Sequence, residues 1–225
     1  MNLRTPSARQ IAATKAFVFL LCLLPAVLLA AGWFGDTLGA NPIEALQRGT
    51  GEWTLRMLLI TLAVTPLRRL TGLHWLLRLR RMLGLFAFAW ACAHLANWLW
   101  LDLWFDWTPI AEDILERPYV TVGFAAFVLM VPLAATSNAF AIRRLGGRRW
   151  QALHRSVYAI AVLGVVHFWW LVKADVLEPL LYALVLAALL GMRGWWRELE
   201  RRRQLAAGTP GSPQFKGKVI RIVPR

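Results

Sequence analysis

The stretch MLGLFAFAWACAHLANWLWL, residues 82–101, decides the fold, because it runs for twenty residues without an Asp, Glu, Lys or Arg. A helix of roughly 20 apolar residues is needed to cross about 30 Å of hydrocarbon at 1.5 Å per residue. The stretch therefore predicts a transmembrane helix. It carries one ionisable side chain in its interior, His94.

Five further apolar stretches approach the same length. We place these spans near residues 16–34, 52–67, 118–136, 150–172 and 176–192. With 58% hydrophobic residues and 13 Trp, a chain of 225 residues has more apolar surface than a soluble domain of that size could bury. The sequence thus predicts an all-α integral membrane bundle of six transmembrane helices. The second span is the least regular, because Arg56 lies within it and Pro66 near its end.

The loop charges predict the orientation of the bundle. With six spans, the basic residues gather on one side, which the positive-inside rule makes cytoplasmic. They lie in the amino-terminal segment, in the carboxy-terminal tail and at Arg68, Arg69, Arg78, Arg80, Arg81, Arg143, Arg144, Arg148 and Arg149. The opposite loops contain Asp36, Glu44, Glu52, Asp102, Asp106, Glu112, Asp113, Glu116, Asp175 and Glu178, with only Arg48, Arg117 and Lys173 as strong cations. We therefore expect both termini in the cytoplasm.

The net charge of +14 does not indicate a nucleic-acid partner, because the basic residues form short clusters between apolar runs. We divide the chain into a cytoplasmic amino-terminal segment (1–15), a transmembrane domain (16–192) and a flexible basic cytoplasmic tail (193–225). We find no nucleotide-binding domain and no complete catalytic site in the sequence, and we expect the transmembrane domain to be surrounded by membrane lipid.

The histidines are the candidate site residues. Counted along their helices, His94 in the third span and His167 in the fifth lie roughly 8 to 10 Å below the outer surface. Neutral imidazole is an axial ligand of haem iron, so two histidines at one depth can hold a haem from both faces. The alternative is that each imidazole only forms a hydrogen bond between helices, worth about 1 kcal/mol. Gly164, one turn before His167, would allow a flat macrocycle to approach.

A second, inner haem is expected at His154. This residue lies about 20 Å from His167 along a straight helix, and the two share a face only if the helix is distorted between them. The third span has no second histidine at that depth. Arg80 returns close to the face of His94 and is a candidate to neutralise a haem propionate or to lie near the iron. His74 is an alternative inner ligand, although its loop position suits an interfacial bystander.

Four segments resemble the MsrQ (YedZ) family of the ferric-reductase-like transmembrane superfamily. They are TPLRRLTG (65–72), RRMLGLFAFAWACAHLANWLWLD (80–102), RPYVTVGFAAFVLMVPLAATSN (117–138) and RRWQALHRSVYAIAVLGVVHFWWLVKAD (148–175). The resemblance implies a protein of the bacterial inner membrane with one or two b-type haems held by His94, His154 and His167, and allows for flavin mononucleotide. It implies electrons from the quinol pool or a cytoplasmic flavin reductase, and delivery to the periplasmic molybdopterin methionine sulfoxide reductase MsrP for repair of oxidised proteins.

Two other functions remain open from the sequence alone. A self-contained reductase of ferric chelates would carry its own nucleotide-binding domain or a quinol-fed site. A haem-free, proton-coupled transporter would use the buried His and Arg residues as an ion path, and would show the inverted repeats that we do not detect here.

Overall fold

The computed structural model describes residues 6–172, 174 and 176–207. Within these ranges all regular structure is helical, so the predicted all-α class is confirmed. The α-helices are α1 (Ala8–Phe34), α2 (Pro42–Thr71), α3 (Arg80–Asn97), α4 (Trp107–Glu116), α5 (Pro118–Ala135), α6 (Ala139–Leu145), α7 (Gly147–His154), α8 (Val157–Leu171) and α9 (Leu177–Ala207). A 3₁₀ helix (His74–Arg78) precedes α3, and a π-helical turn (Trp98–Asp102) follows it.

Within the part of the chain that the structure describes, five helical segments are long and apolar enough to cross a membrane. They are α1, α3 with its π-helical turn, α5, α7 together with α8, and α9. These match the first, third, fourth, fifth and sixth spans expected from the sequence. The chain is therefore a multi-pass membrane protein, and the sixth crossing depends on α2.

Helix α2 has the length but not the apolar composition of the other spans. Its 30 residues correspond to about 45 Å of helix. Its outer third contains charged residues, but the stretch from Leu55 to Val64 supplies much of the buried core, with Leu62 completely inaccessible. Helix α2 is therefore central to the bundle, and the count of six spans stays a prediction.

Four helices form the centre of the bundle. Helix α2 packs along α3, and α5 packs along α8, while α3 also contacts α5 and α2 also contacts α8. Helix α9 lies against α8 and α2, and α1 lies against α2 and α3. Most of α1 is exposed in the isolated chain, as expected of a helix that faces lipid. This arrangement brings α3 and α8, the helices of His94 and His167, to opposite sides of one interior space.

Two boundaries differ from the sequence prediction. The fifth span is not one straight helix, because α7 ends at His154 and α8 begins at Val157 after a tightened turn at Arg155 and Ser156. A shared face of His154 and His167 would require a distortion of this span, and that shared face stays a prediction. The predicted sixth span ends near residue 192 with a flexible tail after it, but α9 continues to Ala207. The predicted tail beyond Ala207 lies outside the described residues.

A buried arginine explains why α2 continues through Pro66. Proline has no N–H, so the carbonyl of Leu62 loses its helical partner. The Nη2 group of Arg193 on α9 donates to this carbonyl, and its Nη1 donates to the carbonyl of Leu189 at 3.1 Å. Arg193 is only 8% exposed, and its guanidinium lies over the Tyr158 ring. Helices α2, α8 and α9 are thereby joined at one point.

Candidate functional site

His94 and His167 meet in the interior of the bundle. Their ring centroids are 6.1 Å apart, and the ring planes are inclined by 78°. His94 comes from the last turn of α3, and His167 lies one turn before the end of α8. The matching depth expected from the sequence is therefore accompanied by direct proximity.

Each imidazole is oriented by a main-chain carbonyl of another helix. Nδ1 of His94 lies 3.0 Å from the carbonyl oxygen of Gln47 on α2, and Nδ1 of His167 lies 2.7 Å from that of Tyr119 on α5. A carbonyl oxygen can only accept, so Nδ1 carries the proton in both rings. Nε2 is then the nitrogen available to a metal, and a hydrogen bond from the opposite nitrogen is the usual support of a ligating histidine.

Two glycines make room for the rings. A Cβ on Gly51 would lie 2.9 Å from Cε1 of His94, and a Cβ on Gly123 would lie 2.7 Å from Nδ1 of His167. Real Cβ atoms do not make such short contacts, so any side chain at these positions must displace the imidazole. Because Gly51 and Gly123 have no side chain, the His94 ring can pack against α2 and the His167 ring against α5.

The two contacts have the same construction. Gln47 and Gly51 are four residues apart on α2, and Tyr119 and Gly123 are four residues apart on α5. In a helix the carbonyl of residue i lies beside the N–H of residue i+4, so a glycine there exposes the carbonyl to a second donor. Helices α2 and α5 thus hold the two histidines in equivalent ways.

The histidines line a cavity of about 800 Å³ between α2, α3, α5 and α8. Its walls are mainly apolar, with Leu55, Leu58, Ala126, Phe127, Met130 and Ile160 in its deeper part. The charged residues of its lining are Glu44, Arg48, Glu52, Asp102, Asp113 and Arg117. An apolar pocket with a few convergent polar groups is the usual form of a cofactor site.

The residues present fit a haem with two histidine ligands. Two iron–nitrogen bonds of roughly 2 Å, with about 1 Å from each nitrogen to its ring centroid, give a separation of about 6 Å. The observed centroid distance is 6.1 Å. No cluster of three or more His, Cys, Asp or Glu side chains suited to a metal occurs among the described residues. The pair therefore suits iron whose remaining ligands come from a macrocycle.

His154 lies apart from this cavity. Its Nδ1 is 3.1 Å from the carbonyl oxygen of Trp150, its Nε2 is 3.5 Å from Oγ of Ser137, and the Trp150 ring stacks on it at 3.9 Å. Arg80, the candidate partner of an inner haem, is close enough for its charge to act on both His154 and Arg193. An inner haem site at His154 and Arg80 stays a prediction.

The sequence also singles out His74 and Gly164. His74 is exposed in the 3₁₀ helix, whereas Gly164 lines the cavity of His94 and His167, where a Cβ would lie 3.5 Å from the Leu55 side chain. The sequence alone does not point to the four supporting residues, which are Gln47, Gly51, Tyr119 and Gly123. The sequence marks only Gly51 and Gly123, as glycines within or next to predicted spans. Glycines are common in membrane helices, so this signal is weak.

Comparison with known proteins assigns the bundle to a class. Residues 50–165 match the family model described as "Ferric reductase like transmembrane component". This range runs from Thr50 on α2 to Val165 on α8, and so includes His94 and His154 and ends just before His167. No solved structure matches the chain.

Relatives identify the family within this class. A protein of Azospira oryzae is 61% identical over 199 residues, which cover 88% of this chain and 84% of the relative. A protein of Herminiimonas arsenicoxydans is 50% identical over 207 residues (91% and 95%), and one of Xanthomonas campestris pv. campestris is 51% identical over 216 residues (91% and 97%). All three are named "Protein-methionine-sulfoxide reductase heme-binding subunit MsrQ". The chain therefore belongs to the MsrQ family.

Proposed function

We propose that this protein binds b-type haem between His94 and His167 and carries electrons across the bacterial inner membrane to a protein-methionine-sulfoxide reductase. The observation that carries the proposal is the histidine pair, in which both Nδ1 groups are hydrogen-bonded to carbonyls and Nε2 is left for iron. The names of the relatives, which are haem-binding subunits, support it. A haem with two imidazole ligands accepts and releases one electron at a time without an open position for oxygen.

The residues of the chain contribute orientation, exclusion of water and charge. The carbonyls of Gln47 and Tyr119 fix the tautomer of each imidazole, which increases its basicity toward iron. The apolar cavity wall keeps water from the site and so influences the reduction potential. Arg48 and Arg117 in the cavity lining are suited to the carboxylates of a haem, although each also contacts an acidic side chain.

A second haem is proposed at the inner side, with His154 as one ligand and Arg80 near its propionates or its iron. With a cytoplasmic flavin reductase as the donor, electrons would pass from the cytoplasmic half of the bundle to the outer histidine pair. The source of the electrons is the quinol pool or a cytoplasmic flavin reductase, and stable binding of flavin mononucleotide would favour the latter. The acceptor is MsrP, a periplasmic molybdopterin enzyme, which would repair oxidised periplasmic proteins. The chain itself is expected to supply no complete catalytic site.

Directional transfer tests this proposal. The protein is reconstituted in vesicles with a quinol donor in the lipid and MsrP with a methionine sulfoxide peptide outside. We expect sulfoxide reduction that requires the haem-loaded membrane protein. Haem-loaded vesicles that reduce ferric chelates directly but never the peptide would contradict the proposed acceptor.

A further inference from the structure

A groove between α2 and α9 contains charged residues that the histidine site does not use. It has a volume of about 480 Å³ and is lined by Trp53, Arg56, Leu59, Ile60, Glu178, Leu181, Tyr182 and Val185. Ile60, Leu181 and Val185 are 43%, 53% and 48% exposed, and in a membrane protein such apolar side chains face lipid. The groove is therefore accessible from the bilayer.

The polar end of the groove is a balanced cluster of two arginines and two glutamates. Arg56 donates to Glu52 at 2.8 Å and lies 3.8 Å from Glu178. Arg48 contacts the same two carboxylates at 3.0 and 3.2 Å. The cluster has no net charge when all four groups are ionised. Charged side chains near lipid are costly and are functional candidates by default.

Aromatic groups complete this end of the groove. Nε of Arg56 donates to the hydroxyl of Tyr182 at 2.8 Å, and its guanidinium lies 5.0 Å from the centre of the Trp53 ring. Trp53 in turn stacks on Trp90 of α3, with ring centroids 6.1 Å apart. Trp90 is four residues before His94, so an aromatic path leads from the groove toward the histidine pair.

The cluster also joins the groove to the haem cavity. Arg48 and Glu52 line the cavity that contains His94 and His167, while their partners Arg56 and Glu178 line the groove. Glu52 is only 15% exposed at its side chain. Arg56 contacts both Glu52 on the cavity side and Glu178 on the groove side, so the two carboxylates are linked through one guanidinium.

We infer that the groove binds the head group of a hydroquinone lipid. A flat aromatic ring with two hydroxyls matches Trp53, Tyr182 and the acceptor oxygens of Glu178, and a long apolar tail matches Ile60, Leu181 and Val185. A phosphate head group suits the site less well, because the charges of the cluster are already balanced. This inference rests on the proposed electron-transfer function and gives it a donor site.

Oxidation of a hydroquinone in the groove would supply both the electrons and the protons of the proposed pathway. Oxidation of one hydroquinone to a quinone breaks two O–H bonds and releases two protons and two electrons. The protons pass to the carboxylates of Glu178 and Glu52 and from there to the outer water. A haem held by His94 and His167 would take one electron at a time, and it would pass the first electron to the acceptor before it takes the second.

Crosslinking in lipid nanodiscs tests the site without measuring enzyme activity. An azido-quinone is photoactivated with the haem-loaded full-length protein, and the labelled peptides are mapped by mass spectrometry. We expect labelling of α2 and α9 within the groove, and competition by an unlabelled short-chain quinone. Labelling elsewhere, or competition by an anionic phospholipid but not by the quinone, would overturn the inference.

The variants are chosen as matched pairs. Ile60→Trp fills the groove, and Leu184→Trp adds the same bulk at a residue of α9 that does not line it. Glu178→Gln removes a carboxylate at the outer end of the α2–α9 interface, and Glu200→Gln removes one from the ion pair with Arg69 at the inner end of the same interface.

Groove labelling should fall at least tenfold in Ile60→Trp and severalfold in Glu178→Gln, and stay at the parent level in both controls. Equal labelling of all four variants would overturn the inference. Haem content is measured in the same samples. Normal haem without groove labelling would reject the quinone site alone, whereas an absence of haem would reject the proposed function.

Discussion

The centroids of the His94 and His167 imidazole rings lie 6.1 Å apart. Nδ1 of His94 is hydrogen-bonded to a carbonyl of α2, and Nδ1 of His167 to a carbonyl of α5. The pair therefore depends on α2 and α5 as much as on its own helices α3 and α8. Substitutions on the supporting helices should affect the site even though they remove no ligand.

Gly51→Ala and Gly123→Ala should each weaken the retention of haem. The new Cβ would overlap the imidazole of His94 or His167, and overpacking of this kind costs about 1–3 kcal/mol. Haem per polypeptide, measured after purification and again after a haem-scavenger challenge, should fall in both variants. Gly194→Ala is the matched control, since a Cβ at Gly194 meets nothing within 4 Å. Equal haem retention in all three variants would show that the close contacts between the glycines and the imidazole rings do not affect haem binding.

His154→Ala should lower the haem content by one per chain and leave the outer site intact. His154 does not line the cavity of His94 and His167, so its loss removes only the inner ligand. The two b-type populations should be distinguished in a redox titration of the α-band, where one step disappears in the variant. Loss of all haem would contradict the assignment of His154 to a separate site.

Electron transfer to MsrP should be abolished by His94→Ala or His167→Ala, whereas His74→Ala should retain most of the parent rate. His74 is exposed and lies in a 3₁₀ helix away from the cavity residues. The rate of methionine sulfoxide reduction in reconstituted vesicles measures this difference. An inactive, haem-free His74→Ala beside normal His94 and His167 variants would reverse the assignment.

Arg193→Met should destabilise the bundle because it leaves the Leu62 carbonyl without a donor in a helix where Pro66 supplies none. A buried polar group without a partner costs about 1–3 kcal/mol. Pro66→Ala restores the helical N–H, so Arg193→Met should cost clearly less in the Pro66→Ala background. Thermal denaturation of the four proteins in detergent provides this double-mutant cycle. Identical losses in both backgrounds would disprove the link between Arg193 and Pro66.

Much of the fold could be predicted from the sequence because membrane spans are encoded by composition and length. Five of the six predicted spans meet those criteria in the structure, and α2 falls short because charged residues such as Arg48 and Glu52 lie in its outer part. The break at Arg155 and Ser156 was not predictable, since no proline or glycine marks it. The extension of α9 to Ala207 follows from Arg201 and Arg202, which both bond Glu198 within the helix.

The site was predictable in its ligands but not in its supports. His94 and His167 stand out because ionisable residues in spans are rare and helical rise gives their depth. The carbonyls of Gln47 and Tyr119 leave no mark in a sequence, because every residue has a carbonyl. The requirement for glycine at positions 51 and 123 can be recognised only from the structure, because it arises from histidine rings of other helices that pack against them.

The most direct test of the central claim is the haem count per polypeptide in the parent protein, in His94→Ala, in His167→Ala and in the double variant, by pyridine haemochrome assay. If the two histidines hold the same haem, each single variant loses one haem and the double variant loses no more than either. A double variant that loses twice as much as each single variant, or single variants that keep the parent's haem, would contradict the shared site.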